Sequence, residues 1–339
     1  MKTPPVPFPT LLANLADPNG QVRKQAIRGI LRYRQERGQA FVPLLSLIND
    51  PVVQVRKAAI IALGELQDPR AIPALLPVLS QQDFHLRLLT LRTLVQLDQQ
   101  QAFPHLCAAL LHDPDWSLRL MAAGMIGELG DARAVNLLIT ALGDADPYVR
   151  EKVVNVLGEL GDARAIDPLI ARLRDGDLRV RTSVARVLGE LGDARAVDPL
   201  IAALNDEIPL VRQEAATALG RLRDARAVDP LIAVLGDESF SIRWRAAGAP
   251  GEWAIAGMRR ATVTALGTLG DVRAVDPLVV QLREADATVR EEAATALGWL
   301  HDARALQPLR ILLADPIPAV VQQAREAIAQ GEDSVEEAL

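Results

Sequence analysis

Four histidines, His85, His105, His112 and His301, and a single cysteine, Cys107, are the side chains of this 339-residue sequence best suited to metal binding or nucleophilic attack. None of the histidines is followed by Glu, and none lies three or four residues from another, so paired imidazoles on one helix face are absent. Cys107 follows Leu106 on an apolar stretch and reads as a structural thiol rather than a nucleophile. A second kind of chemistry is suggested further on. Arg243, Trp244, Arg245, Trp253, Arg259 and Arg260 crowd one segment, with Trp299 in the next, and arginine beside tryptophan suits a planar anion or a protein hot spot. Gly-Asp pairs recur at repeat junctions and do not form a phosphate loop. The spacing of the scattered Asp, Glu and Arg residues does not call for general acid–base work.

The elements that position these residues come from one unit, Gly192 to Leu222, GDARAVDPLIAALNDEIPLVRQEAATALGRL. Asp193 is placed to cap a helix, and Val197, Leu200, Ile201 and Leu204 recur three and four apart on its apolar face. Pro199 sits early in that helix, either opening its straight part with Asp198 as a second cap or kinking the first turn. Asn205 to Pro209 is a turn. Val211, Ala215, Ala218, Leu219 and Leu222 then mark a second amphipathic helix. Two helices this short cannot close a core alone, so each pair must stack on its neighbours.

The same unit runs through the chain. The proline-rich opening MKTPPVPFPT reads as an extended lead-in with neither a signal peptide nor an anchor. Repeat 1 carries Leu11, Leu12 and Leu15, then Val22, Ala26 and Ile30. The aspartates before each DAR-like turn fall at Asp131, Asp162, Asp193 and Asp224, then at Asp271 and Asp302, which leaves residues 242–257 as an insertion in repeat 8. About ten two-helix repeats of ~31 residues, from about 8 to 329, occupy nearly all of 1–339 and predict one all-α solenoid domain. An acidic end, 330–339, is expected to cap or fray.

Composition fits closely packed short helices: half of the residues are hydrophobic but only 3% are aromatic. A net charge of −6 favours neither nucleic acid nor an anionic membrane, and no run of eighteen apolar residues suggests membrane insertion. One cysteine excludes an internal disulfide, and a cytoplasmic location is expected.

GDARAVDPLIAAL followed by VRxxAxxALGxL resembles the HEAT-like repeat of the phycobilisome (phycobilin) lyase type. The resemblance covers nearly the whole chain and implies an α-α superhelix whose second helices line the concave side. It also implies two functions from different classes. One is a non-catalytic protein-interaction scaffold or assembly factor, with a protein partner such as a phycobiliprotein subunit and no cofactor. The other is a phycobilin lyase or isomerase subunit, in which the concave face and the insertion hold an open-chain tetrapyrrole by its propionates.

One charge pattern recurs. Asp17, Asp50, Asp113, Asp144, Asp175, Asp206 and Asp237 precede Arg23, Arg56, Arg119, Arg150, Arg181, Arg212 and Arg243 by six residues, with Glu284 and Arg290 as a variant. Copied into nearly every unit, it reads as a structural ladder shared between repeats rather than an anion site.

Two departures from the repeat are the candidate sites. Where regular units have polar pairs such as Glu151-Lys152 or Gln213-Glu214, repeats 3 and 4 have Leu88-Leu89 and Leu120-Met121. These form either an apolar partner-binding patch or part of a core packed in another register. Phe84, Trp116, Tyr148 and Phe240 fall in the interhelix turns as an interrupted aromatic row. The insertion is the second departure. Either a short helix starts at Ser241 and breaks at Gly248-Ala249-Pro250-Gly251, or the whole segment is a lid-like loop, or it folds back over its own tryptophans.

Overall fold

A computed structural model describes residues 6–33, 35–236 and 252–337. Among them every regular element is a helix, and ten helix pairs follow one another. By packing, the chain divides into two compact units, Met1–Leu137 and Leu138–Leu339. Within each unit, second helix packs on second helix, as Val53–Leu66 does on Phe84–Leu97 and Leu178–Leu191 on Pro209–Leu222.

The repeat folds as its residues dictate. Asp193 accepts the amide of Arg195 at 2.9 Å and starts a 3-10 turn, Ala194–Ala196, that runs into the short helix Val197–Ala203. Pro199 stands in the first turn, where a missing N–H costs nothing. Val197, Leu200 and Leu204 are buried, and so are Val211, Ala215, Ala218 and Leu219 across from them. Each such leucine contributes roughly 1.5–3 kcal/mol. Gly192, with φ 72°, ends the preceding helix in the left-handed region that only glycine enters without strain.

Another glycine sets the spacing between repeats. A Cβ on Gly189 would lie 2.6 Å from that of Ala218, so the second helices touch backbone to side chain only because the ALG or VLG step has no side chain there.

Two expectations change at the ends of elements. The helix Glu252–Leu269 takes in the last six residues of the insertion, so 242–257 is not a loop throughout. Nothing from Glu252 to Gly257 interrupts a helix except the final glycine, and the first helix-breaking pair, Pro250-Gly251, lies just before it. The reading of a helix from Ser241 falls outside the described residues. At the other end, the helix Pro318–Glu337 continues through most of the acidic tail, with Glu332 held by Arg310 at 2.6 Å.

Candidate interaction surface and the arginine–aspartate ladder

The recurring Asp and Arg do meet, but across repeats. Arg181 donates from Nη1 to the backbone carbonyl of Asp175, six residues back, at 2.7 Å. Its Nε and Nη2 grip the carboxylate of Asp206, in the following repeat, at 2.8 and 3.2 Å. Arg23 treats Asp17 and Asp50 in the same way, and Arg290 treats Glu284 and Asp315. The six-residue spacing therefore reports a contact with the main chain, while the carboxylate belongs to the arginine of the repeat before. Each aspartate also accepts the amide two residues on, as Asp206 does from Ile208 at 2.8 Å. Arg181 and Asp175 are buried, so these are charge-assisted bonds shielded from water. For Asp175, burial pushes the carboxyl up, but the bonds from Arg150 and from the Asp177 amide outweigh it and hold it below the ordinary range.

A second, exposed ladder was not anticipated. Arg195 pairs with Asp193 at 2.8 Å and reaches back to Asp167 at 3.0 Å, and Arg226 does the same with Asp224 and Asp198. Arg273 bridges to Asp229 at 2.8 Å although the insertion lies between them in sequence. The signal was present in the DARA stretches, where Arg195, Arg226 and Arg304 each return twenty-eight residues to an aspartate, and Asp198 serves this bridge rather than capping a helix.

The insertion leaves the register intact. Met258 is buried as Val211 is, and Arg259 pairs with Glu284, twenty-five residues on, as the ladder requires. Between the helices Pro209–Leu222 and Glu252–Leu269 lies a groove of about 500 Å³, lined by Arg221, Arg223 and Arg260 together with Gln213, Thr217 and Thr264.

The sequence profile of HEAT repeats matches residues 8–95, 39–112, 103–186, 166–249 and 256–329. The chain belongs to the HEAT-repeat family. No curated protein matches its sequence. Among solved structures, Kap121p superposes with a TM-score of 0.67 at 14% identity over 97% of this chain and 42% of its own. Kap95p, in a structure with RanGDP, superposes with a TM-score of 0.66 at 12% identity over 96% of this chain and 50% of its own. The chain thus spans half or less of these karyopherins, and the likeness shows the α-solenoid fold alone. An engineered protein matches at 19% identity over 96% of this chain and 98% of its own, with a TM-score of 0.48.

On the HEAT repeats the candidate site residues separate. Leu88, Leu89 and Leu120 are half-buried, and Leu89 packs against the core of the first unit; the equivalent polar residues Glu151, Lys152 and Gln213 are half-buried too. These three leucines are thus neither open to solvent nor fully buried. Met121 and Trp116 are the exposed members, at 38% and 44%. Phe84 and Trp116 open their helices rather than lying in turns, because Asp83 and Asp115 cap immediately before them. Phe84 packs on His85 with ring centroids 5.2 Å apart. In the second unit Tyr148 is exposed at its edge, with the Arg179 guanidinium 3.8 Å above its ring.

Arg259 is a ladder residue, which removes it from the proposed ligand set, whereas Arg260 is exposed in the groove. Trp299 is 43% exposed and lies against Gly267, where a Cβ would come within 3.0 Å of its ring. Arg243, Trp244, Arg245 and Phe240 fall outside the described residues, and Trp253 falls in the first turn of Glu252–Leu269. Arg221 and Arg223 were missed as site residues, although they stand where other repeats have Glu190 and Gly192. Cys107 is half-buried, and burial followed by the charge of Asp131 pushes its thiol up, away from the reactive thiolate. Among the described residues no group of three His, Cys, Asp or Glu is placed to hold a metal, and no helix is long and apolar enough to cross a membrane.

Proposed function

We propose that this HEAT-repeat chain is a non-catalytic scaffold that holds a protein partner through the side chains by which its repeats depart from one another. The observation that carries this reading is the exposure of large side chains at such positions: Trp116 and Met121 on one second helix, and Trp299 on another, in a chain with few aromatics. Aromatic and methionine side chains on a rigid helical face are what protein interfaces concentrate. On the same fold Kap121p is seen bound to Nup53p, a likeness that carries only the fold.

The repeat motif's resemblance to the phycobilin lyase type favours a phycobiliprotein subunit as the partner. A cytoplasmic setting follows from that choice. The test is a pull-down with the purified chain, comparing wild type with Trp116→Ala and Met121→Ser together. A partner captured by wild type and lost by the double variant supports the scaffold, and equal capture by both removes these residues from the interface. Co-expression with a bilin and a phycobiliprotein subunit separates the lyase reading. Visible absorbance retained on the purified chain is the outcome that would replace a scaffold with a bilin-handling protein.

A further inference from the structure

The groove between the helices Pro209–Leu222 and Glu252–Leu269 differs from its neighbours in charge. Its lining holds three guanidiniums, Arg221, Arg223 and Arg260, and no carboxylate. The positions of Arg260 and Arg221 are held by Glu151 and Glu159 on the helix Pro147–Leu160, by Glu190 on Leu178–Leu191 and by Glu291 on Ala287–Leu300. In a chain of net charge −6, three arginines line this groove, while the carboxylates nearest them, Glu190 and Glu214 for Arg221 and Asp286 for Arg260, stand outside its lining.

The groove also has room. Gly220, Gly257, Ala261 and Ala265 line it, and a Cβ at Gly257 would come 2.8 Å from Gln213 Oε1. Beside these close approaches a groove of about 500 Å³ remains between the helices. The hydroxyls are not donors to it. Thr217 donates to the carbonyl of Gln213 at 3.0 Å, and the Thr264 hydroxyl is taken by the carbonyl of Arg260 at 2.9 Å and by Glu292 Oε2 at 3.1 Å, so the guanidiniums are the donors a ligand would meet.

Those guanidiniums have little else to hold. Arg221 approaches Glu190 at 3.6 Å, but Glu190 already takes Arg186 at 2.9 Å. Among the described residues Arg223 and Arg260 make no ion pair. Arg181 and Arg290 of the ladder, by contrast, each hold a carboxylate and a carbonyl.

We propose that this groove is an oxyanion-binding site, taking a ligand that carries two or more carboxylate or phosphate groups. Planar guanidiniums bind such groups through paired N–H donors, which lysines in the same places would not do. The proposal rests on the arginines and stands apart from whether Trp116 and Met121 hold a partner.

Two sources share this chemistry, an acidic peptide and a small polyanion, and the test separates them. Fluorescein-labelled hexaglutamate is titrated by anisotropy, and inorganic pyrophosphate by calorimetry, against the full chain in low salt. Wild type is expected to bind at least one probe, with affinity falling as salt is raised. Arg221→Glu with Arg260→Glu is expected to lose tenfold or more, while Arg195→Glu, on the exposed ladder elsewhere, loses little. Both arginine changes lie on exposed positions. Circular dichroism and the urea midpoint show that the double variant is folded, and Arg223→Gln supplies a second, milder variant. Preference for hexaglutamate identifies a peptide ligand, and preference for pyrophosphate a small anion. Binding of neither probe by wild type, or equal loss in Arg195→Glu, overturns the site. A partner still captured in the pull-down in that case would leave the scaffold reading standing.

Discussion

Arg56 reaches the carbonyl of Asp50 at 2.8 Å, but its buried Nε has no acceptor, because Gln81 stands twenty-five residues on, where Arg150, Arg181 and Arg290 meet an aspartate. The ladder is interrupted at this step of the first unit. Gln81→Asp is expected to complete it and to raise the unfolding free energy by about 1–2 kcal/mol, the worth of a charged hydrogen bond in a half-buried place. Urea denaturation checks this. An unchanged or lowered midpoint would mean that Arg56 is satisfied in another way.

Arg181→Ala removes a complete step. Asp206 is left with only its amide bond from Ile208, and the Asp175 carbonyl is left without its guanidinium donor. Breaking a buried pair by removing one partner costs about 3–5 kcal/mol. Arg195→Ala, on the exposed ladder, is expected to cost much less, because solvent screens the pair. Equal losses in the two variants would show that burial does not distinguish the ladders.

Leu88→Gln and Leu120→Gln act on half-buried positions. Each is expected to cost about 1 kcal/mol, roughly half of what a fully buried leucine supplies. Trp116→Ala is expected to stay within ~0.5 kcal/mol of wild type, as exposed substitutions do. A tryptophan variant less stable than either leucine variant would place Trp116 in the fold rather than at an interface.

Acid should weaken the solenoid over a definite range. Bonds from Arg164, Arg195 and Arg226, then from backbone amides, hold Asp162, Asp193 and Asp224 at about 2. The bond from Arg290 lowers Asp315 as well. Folded values below the unfolded ~3.9 mean that this stabilisation is complete above that value and is lost as pH falls through the folded ones. The urea midpoint is therefore expected to hold from neutral pH down to about 4 and to drop between about 4 and 2. A midpoint that stays level to the bottom of that range would argue against these pairs as contributors.

Deleting residues 242–257 joins Ser241 to Met258 and keeps Met258 for the core and Arg259 for Glu284. The variant is expected to stay helical by circular dichroism with a midpoint close to wild type. Collapse of the helical signal would show that the first turns of Glu252–Leu269 are needed for the stack.

The repeat and its helices were legible in the sequence because they depend on local rules. Aspartate caps, apolar residues three and four apart and glycine at helix ends act within one turn, and copying them ten times removes ambiguity. Asp193, Val197, Leu200 and Gly192 stand where that spacing put them. The Arg259 alignment was equally legible, since a ladder residue keeps its distance from its partner across an insertion. Pairing between repeats was left to the tertiary structure. A six-residue interval says that Asp175 and Arg181 are close, but only the stacking of second helices shows that the carboxylate gripped by Arg181 is that of Asp206. The same holds for exposure: Leu88 and Met121 look alike as departures from a polar pattern, yet one is half-buried and the other faces solvent. The arginine groove is the clearest case. Arg221, Arg223 and Arg260 are separated by up to thirty-nine residues, and only the packing of Pro209–Leu222 against Glu252–Leu269 gathers their charge, because electrostatics follows distance in space and not position along the chain.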